Sequence, residues 1–306
     1  MTRNFLSVDD LDPGELGDLL ALAARVKRSP SEYFDRLDHK SVALLFEKPS
    51  TRARISFEVA ITELGAHPVS LSETELLLGE RELIEDTGRA LSRYVQAIVL
   101  RTFGQERLEA LARAASVPVL NALSDFENPC QCLADLLTMR ERLGEVRGRV
   151  LTYLGDGNNT ATSLLLGATK LGMTVRVAAP PGYEPIPLVV DRAREIAEES
   201  GGRVEILHDP LEAAEGADIL YTDVWASIGQ EEEAIERPLV FQAYQLNGAV
   251  VERAGGSVVV LHCLPAQRGQ EITDDVLDGP RSAVWDQAEN RLHVQKAVLL
   301  RLLGAG

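Results

Sequence analysis

The run Ser50-Thr51-Arg52-Ala53-Arg54 follows the apolar stretch Val42-Ala43-Leu44-Leu45-Phe46 and precedes a helical-looking one over residues 55–64. A buried strand that enters a helix through a turn rich in hydroxyls and guanidinium groups brings three things to one spot. These are free backbone N–H groups, the positive end of a helix dipole and two forked cations. That chemistry binds phosphate. The same five residues would also make a plain N-cap with a solvated basic face, so their meaning depends on what accompanies them.

The elements that would position such residues alternate regularly. After an amphipathic helix over 11–27, the apolar runs predict strands at 42–46, 68–71, 97–100 and 117–121. Between and after them, 3.6-residue periodicity predicts helices at 54–64, 83–93, 106–115 and 129–143, the last with Pro129 at a favourable first-turn position. The second half repeats the rhythm, with strands at 150–154, 174–178, 204–207, 219–222 and 258–261 and helices at 160–171, 188–200, 210–214 and 289–303. Strands this apolar, separated by amphipathic helices, predict an α/β chain with two doubly wound parallel-sheet domains.

In open α/β sheets ligands bind beyond the carboxyl ends of the strands, and six such ends here are polar. They are the Ser50 turn, Arg101-Thr102-Phe103, the stretch from Ser124 to Gln131, Gly155-Asp156-Gly157-Asn158-Asn159, Asp223-Val224-Trp225-Ala226-Ser227 and His262-Cys263-Leu264-Pro265. Taken singly, Arg101 reads also as a surface charge, Gly155-Asp156-Gly157 as a tight turn and Cys263 as a small buried apolar residue. Jointly they point to a site. Gly157 lacks the spacing of a dinucleotide fingerprint and no Walker lysine follows a glycine-rich loop, which speaks against nucleotide binding.

The totals exclude other classes. With 31 Lys+Arg against 47 Asp+Glu, the net charge of −16 repels nucleic acid. A few arginines at a helix start can still hold a small anion. Cys130, Cys132 and Cys263 make no disulfide framework, and neither they nor the five histidines have metal-ligand spacing, so no metal is expected. No apolar run approaches the ~18 residues of a membrane span, so a cytoplasmic protein with no membrane partner is expected.

Several stretches carry a resemblance to the aspartate/ornithine carbamoyltransferases, closest to their ornithine branch. They are Phe46-Glu47-Lys48-Pro49-Ser50-Thr51-Arg52-Ala53-Arg54, Arg101-Thr102-Phe103, Asn128-Pro129-Cys130-Gln131, Gly155 to Asn159, Asp223 to Gly229, His262-Cys263-Leu264-Pro265 and Ala288-Glu289-Asn290-Arg291-Leu292-His293. The resemblance implies two domains joined by interdomain helices. Residues 1–145, with a returning C-terminal helix at 288–306, would bind carbamoyl phosphate, and 146–287 would bind the amino acid. It implies carbamoyl transfer to an amine, most closely ornithine giving citrulline and phosphate, without metal or organic cofactor, in a homotrimer. The phosphate would sit on Ser50, Thr51, Arg52 and the backbone at Ala53, with Arg101 as a second clamp. Gln131 and Arg291 would hold the carbamoyl end, Asn128 would stand at its carbonyl, and the carbonyls of Cys263 and Leu264 would take its amino group. Asn159, Asp223, Ser227 and Ile228 would hold the acceptor, with Asp223 and Cys263 near the reacting amine.

The chain departs from the family pattern at Ala53, where Thr is usual, at Asn128, where His is usual, at Leu77, where Gln or His is usual, and at Ile228 and Gln267, which replace Met and His. Asn128 can donate a hydrogen bond but cannot carry positive charge. These changes leave two alternatives open beside the ornithine reaction: the same chemistry on another amine, or a ligand-binding relative without turnover.

Overall fold

The computed structural model describes residues 4–72, 78–79, 82–226 and 236–305. They form two compact units, Met1–Ala134 with Arg291–Gly306, and Asp135–Asn290.

The first unit is built on a four-stranded sheet of β1 (Ser41–Phe46), β2 (His67–Leu71), β3 (Ala97–Arg101) and β4 (Val119–Leu123), all parallel, in the order β2-β1-β3-β4. Its helices are α1 (Pro13–Arg28), α2 (Thr51–Glu63), α3 (Ile84–Leu91), α4 (Gln105–Ala114) and α5 (Pro129–Leu143), the last reaching past the unit boundary. α1 starts where Asp12 and Glu15 form a capping box with Pro13 in the first turn, and it buries the stripe Leu16, Leu19, Leu20, Ala23 and Val26. The central strands β1 and β3 are buried nearly throughout, as a parallel sheet covered on both faces requires. The chain winds from β1 to β2 on one side and returns to β3 on the other. The topological switch therefore lies between β1 and β3, whose last residues Phe46 and Arg101 are register partners.

The second unit repeats this plan with β5 (Val150–Leu154), β6 (Thr174–Ala178), β7 (Arg203–Leu207), β8 (Ile219–Thr222) and β9 (Val259–His262), all parallel, in the order β7-β6-β5-β8-β9. Its helices are α6 (Asn159–Lys170), α7 (Pro187–Ser200), α8 (Pro210–Ala214), α9 (Arg237–Phe241), α10 (Gly248–Ala254) and α11 (Asp274–Leu277). Its switch point lies between β5 and β8, where Leu154 pairs with Thr222. The chain closes with α12 (Val284–Leu302). Among the described residues no helix is long and apolar enough to cross a membrane.

All nine strands expected from the sequence are present. The differences are local. α2 begins at Thr51 rather than Arg54 because Ser50 caps it. β4 runs to Leu123, two residues beyond the expected end, where Leu123 pairs with Arg101 across a register shift. α12 starts five residues before the expected 289. Helices α9, α10 and α11 are four to seven residues long and too short to show a period.

Candidate active site

The basic site grows from the β1/β3 switch. Ser50 is extended (φ −161°, ψ 101°), and its Oγ accepts the Ala53 N–H at 3.3 Å. Thr51 and Arg52 supply the other N–H groups of the first turn, at the positive end of the helix dipole. Arg101, 9% exposed, ends β3, and its Nε is buried without a hydrogen-bond partner. Burial pulls its guanidinium down to about 10, and the charges of Arg291 and Arg52 pull in the same direction against Asp125. Three guanidinium groups that repel one another in this way share one neighbourhood. Arg291, on α12, is itself 7% exposed.

Asn128 and Gln131 open α5. The Asn128 carbonyl accepts from the N–H groups of Gln131 and Cys132, both at 3.1 Å, and the two residues are 8% and 1% exposed. Between them the Cys130 thiol, bonded to the Asn121 carbonyl at 3.6 Å, is pushed up to about 12 by burial against the opposing charge of Arg291. Ala53 is fully buried.

The sequence did not reveal the counter-ions around this site. Lys48, 4% exposed, pairs with Asp125 and lies 4.4 Å from the centre of the Phe103 ring. Glu47 accepts from Thr102 Oγ1 and pairs with Arg107, which also reaches the Leu78 carbonyl at 2.7 Å. The Glu47-Lys48 pair immediately after an apolar strand was the available signal. The expected convergence of Arg54 on the phosphate spot is corrected. Two residues further round α2, its Nε donates to Glu58 at 2.9 Å, and Ser70 donates to the same oxygen at 2.6 Å.

The carboxylate site grows from the β5/β8 switch. Asp223, 7% exposed, follows β8. Its Oδ2 accepts from Asn158 Nδ2 at 3.1 Å and Thr160 Oγ1 at 3.0 Å, and its Oδ1 from the Val224 N–H at 2.8 Å. Asn158 caps α6 through Oδ1, which accepts from the N–H groups of Thr160 and Ala161, and it also receives the Tyr153 hydroxyl at 3.2 Å. Asn159 is the first residue of α6 and is partly exposed. The Cys263 thiol lies beside Asp223. Burial, then the Asp223 charge, raises it well above the ordinary thiol value, so it stays protonated. Behind it the Tyr221 hydroxyl donates to Asp135 at 3.0 Å, and Gln287 Nε2 donates to both.

β9 delivers His262, fully buried, to the start of the Cys263-Leu264 loop. The Leu264 N–H donates to His262 Nδ1 at 2.9 Å, so that nitrogen is bare, and Nε2 carries the proton toward Glu271 Oε1 at 3.0 Å. The Gln267 N–H reaches the same oxygen at 2.5 Å. This buried pair holds Leu264 at φ 58° before the cis bond to Pro265. Among the described residues, Asp223, His262 and Cys263 bring ligand atoms within 4.8 Å of one another, the spacing of a metal site. The imidazole has no lone pair left to give. Ser227, Ile228 and Leu77 lie outside the described residues.

Residues 3–141 match the family described as aspartate/ornithine carbamoyltransferase, carbamoyl-P binding domain, and residues 147–302 match its Asp/Orn binding domain. The chain belongs to the aspartate/ornithine carbamoyltransferase family. It is 56% identical to an ornithine carbamoyltransferase of Acidothermus cellulolyticus, over 100% of this chain and 98% of that protein. The structure of an ornithine carbamoyltransferase from Pyrococcus furiosus superposes with a TM-score of 0.96 at 49% identity, covering 99% of this chain and 97% of the other. One from Gloeobacter violaceus gives 0.90 at 50% identity, covering 98% of each.

Proposed function

We infer that the protein is an ornithine carbamoyltransferase: it transfers the carbamoyl group of carbamoyl phosphate to the side-chain amine of L-ornithine, giving L-citrulline and phosphate. The observation that carries this reading is the buried Arg101 at the end of β3, its Nε without a hydrogen-bond partner, level with the end of β1 that leads into the Ser50-capped start of α2. We assign the donor's phosphate to Ser50, Thr51, Arg52, the Ala53 backbone and Arg101. Its carbamoyl end goes to Asn128, Gln131 and Arg291, with the carbonyls of Cys263 and Leu264 taking its amino group. Asn159 and Asp223 are assigned to the amino acid, with Ser227 and Ile228 as further acceptor contacts. A homotrimer working in the cytoplasm completes the proposal.

The chemistry follows from these roles. An alkyl ammonium with a pKa of about 10.4 must lose a proton before it can attack. Asp223 is the group positioned to accept it, with the neutral Cys263 thiol beside it. The free nitrogen then adds to the carbamoyl carbon, and the oxyanion formed is held by N–H donors such as the Asn128 amide. The adduct collapses by breaking its bond to the phosphate oxygen, and the departing phosphate takes the second proton from the new nitrogen. The arginines stabilise the charge on the leaving phosphate.

Purified protein is incubated with carbamoyl phosphate and a panel of diamino acids, and ureido product and phosphate are both measured. Product with ornithine, lost on Arg52→Ala, is expected. Product with another amine alone, or none with any, contradicts the reading. Sedimentation equilibrium checks the trimer.

A further inference from the structure

Glu127 has no exposed surface and stands one residue before Asn128. A carboxylate buried this completely is costly to the fold unless donors satisfy it. Its donors come from a segment 120 residues earlier in the chain. Ser7 Oγ donates to Glu127 Oε1, and the Val8 N–H donates to Oε2 at 3.2 Å. Ser7 Oγ also accepts the Asp9 N–H at 2.9 Å, which leaves its single proton for Glu127.

Both sides of this contact are anchored. The segment Asn4–Val8 lies along β4, where the Phe5 N–H donates to the Val119 carbonyl and the Asn121 N–H to the Phe5 carbonyl, both at 2.9 Å. Two side-chain amides extend the pairing. Asn4 Oδ1 accepts the Val119 N–H and Asn121 Nδ2 donates to the Leu6 carbonyl, again both at 2.9 Å. Asp10 Oδ2 then gathers the N–H groups of Leu6 at 2.7 Å and Ser7 at 3.0 Å, and Phe5 and Val8 are buried. On the other side, the Ser124 N–H donates to the Glu127 carbonyl at 2.9 Å, and Ser124 Oγ accepts the Glu127 N–H at 3.1 Å. Asp125 in the same loop pairs with Lys48.

We propose that Glu127 is a positioning residue for the carbamoyl end of the donor: held by Ser7 and Val8, it fixes the backbone from which Asn128 and Gln131 open α5. An apolar side chain would fill the same space without setting a direction. Two hydrogen bonds to a segment paired with β4 set one. Removing the carboxylate leaves the Ser7 hydroxyl and the Val8 N–H buried without their acceptor and frees the loop to shift. Misplacement of a ligand-holding group by as little as ~1 Å lowers reaction efficiency about a hundredfold. The loss should fall on carbamoyl phosphate, because Asn159 and Asp223 belong to the second unit.

The inference rests on the carbamoyl phosphate assignments made above, so the wild-type chain is assayed first with the diamino-acid panel. Should it use a different amine, the ornithine reading falls and the rates below are measured with that amine. Should it carbamoylate none, that reading also falls, and the same factors are read as carbamoyl phosphate affinities by calorimetry. Glu127→Ala is expected to lower kcat/KM for carbamoyl phosphate at least about thirtyfold, with the amino-acid KM within about twofold of wild type. Ser7→Ala, in a segment assigned no substrate contact, is expected to lower it at least about fivefold. Both act through one hydrogen bond, so the double variant should lose no more than about twofold beyond Glu127→Ala. Glu127→Gln can accept the Val8 N–H through Oε1 and donate to the second lone pair of Ser7 Oγ through Nε2, and should stay within about threefold of wild type. Losses that multiply in the double variant overturn the proposal. So does a Glu127→Gln loss as large as that of Glu127→Ala, an unchanged kcat/KM, an equal rise in both KM values, or a loss that tracks the folded fraction. If Glu127→Ala does not fold, Ser7→Ala and Glu127→Gln are judged by the same factors.

Discussion

Like charges gathered at one spot cost the folded chain energy that a bound anion returns. At Arg101 burial first, and then the charges of Arg291 and Arg52, hold the guanidinium down at about 10. Inorganic phosphate should therefore raise the thermal midpoint of the wild-type protein in a concentration-dependent way, and Arg101→Met should abolish that response in scanning fluorimetry. Asn128→Ala removes a neutral donor from the start of α5 and is expected to lower kcat roughly a hundredfold with little change in the ornithine KM, as read from initial rates. Cys263 carries a pH prediction of definite sign. Its thiol is raised, so at pH 8.5 its thiolate fraction lies below that of an ordinary cysteine. Iodoacetamide labelling followed by mass spectrometry should find Cys263 slower to react than in the denatured chain. Faster labelling would mean an activated thiol. At this scale the sequence was legible where residues sit in runs, as in Ser50 to Arg52 and His262 to Leu264. It was silent on Lys48–Asp125, Asp135–Tyr221 and Arg237–Asp156, whose partners lie 77, 86 and 81 residues apart.

The α2 start and the β5 loop do the positioning, by different means. α2 depends on a cap, so Ser50→Ala should cost about 1 kcal/mol in urea unfolding and weaken phosphate binding, because the same turn is no longer held. The β5 loop depends on the absence of a side chain. A Cβ on Gly157 would lie 2.4 Å from the Glu184 carbonyl carbon, a backbone atom that cannot rotate away. Gly157→Ala should therefore destabilise the protein by roughly 2 kcal/mol, with the loss visible in the urea midpoint. Strands and long helices were readable because apolar periodicity records burial. The start of α2 was read three residues late, at Arg54 instead of Thr51, because Ser50, Thr51 and Arg54 are all acceptable near a helix start, and only backbone geometry selects among them. Helices α9 to α11 run less than two turns each, with a side-chain cap only at α10, from Asn247, and leave no period to read.

Across the whole molecule, both sheets reverse winding direction inside the sheet, and four of the six polar strand ends lie at those two reversals, β1/β3 and β5/β8, with those of β4 and β9 one strand further out. The topology explains why Arg52 and Arg101, distant in sequence, share one neighbourhood, to which α12 adds the charge of Arg291, and why a chain of net charge −16 can still grip an anion. Strand order was not readable from the sequence, since each apolar run fits any interior place in a parallel sheet. The most direct measurement is calorimetric titration of carbamoyl phosphate into the wild-type protein and into Arg101→Gln. Binding by the wild type that weakens about a hundredfold or more in the variant is predicted, as expected for the loss of one charge-assisted clamp. Equal affinity in the two proteins would contradict the claim that these arginines hold the donor.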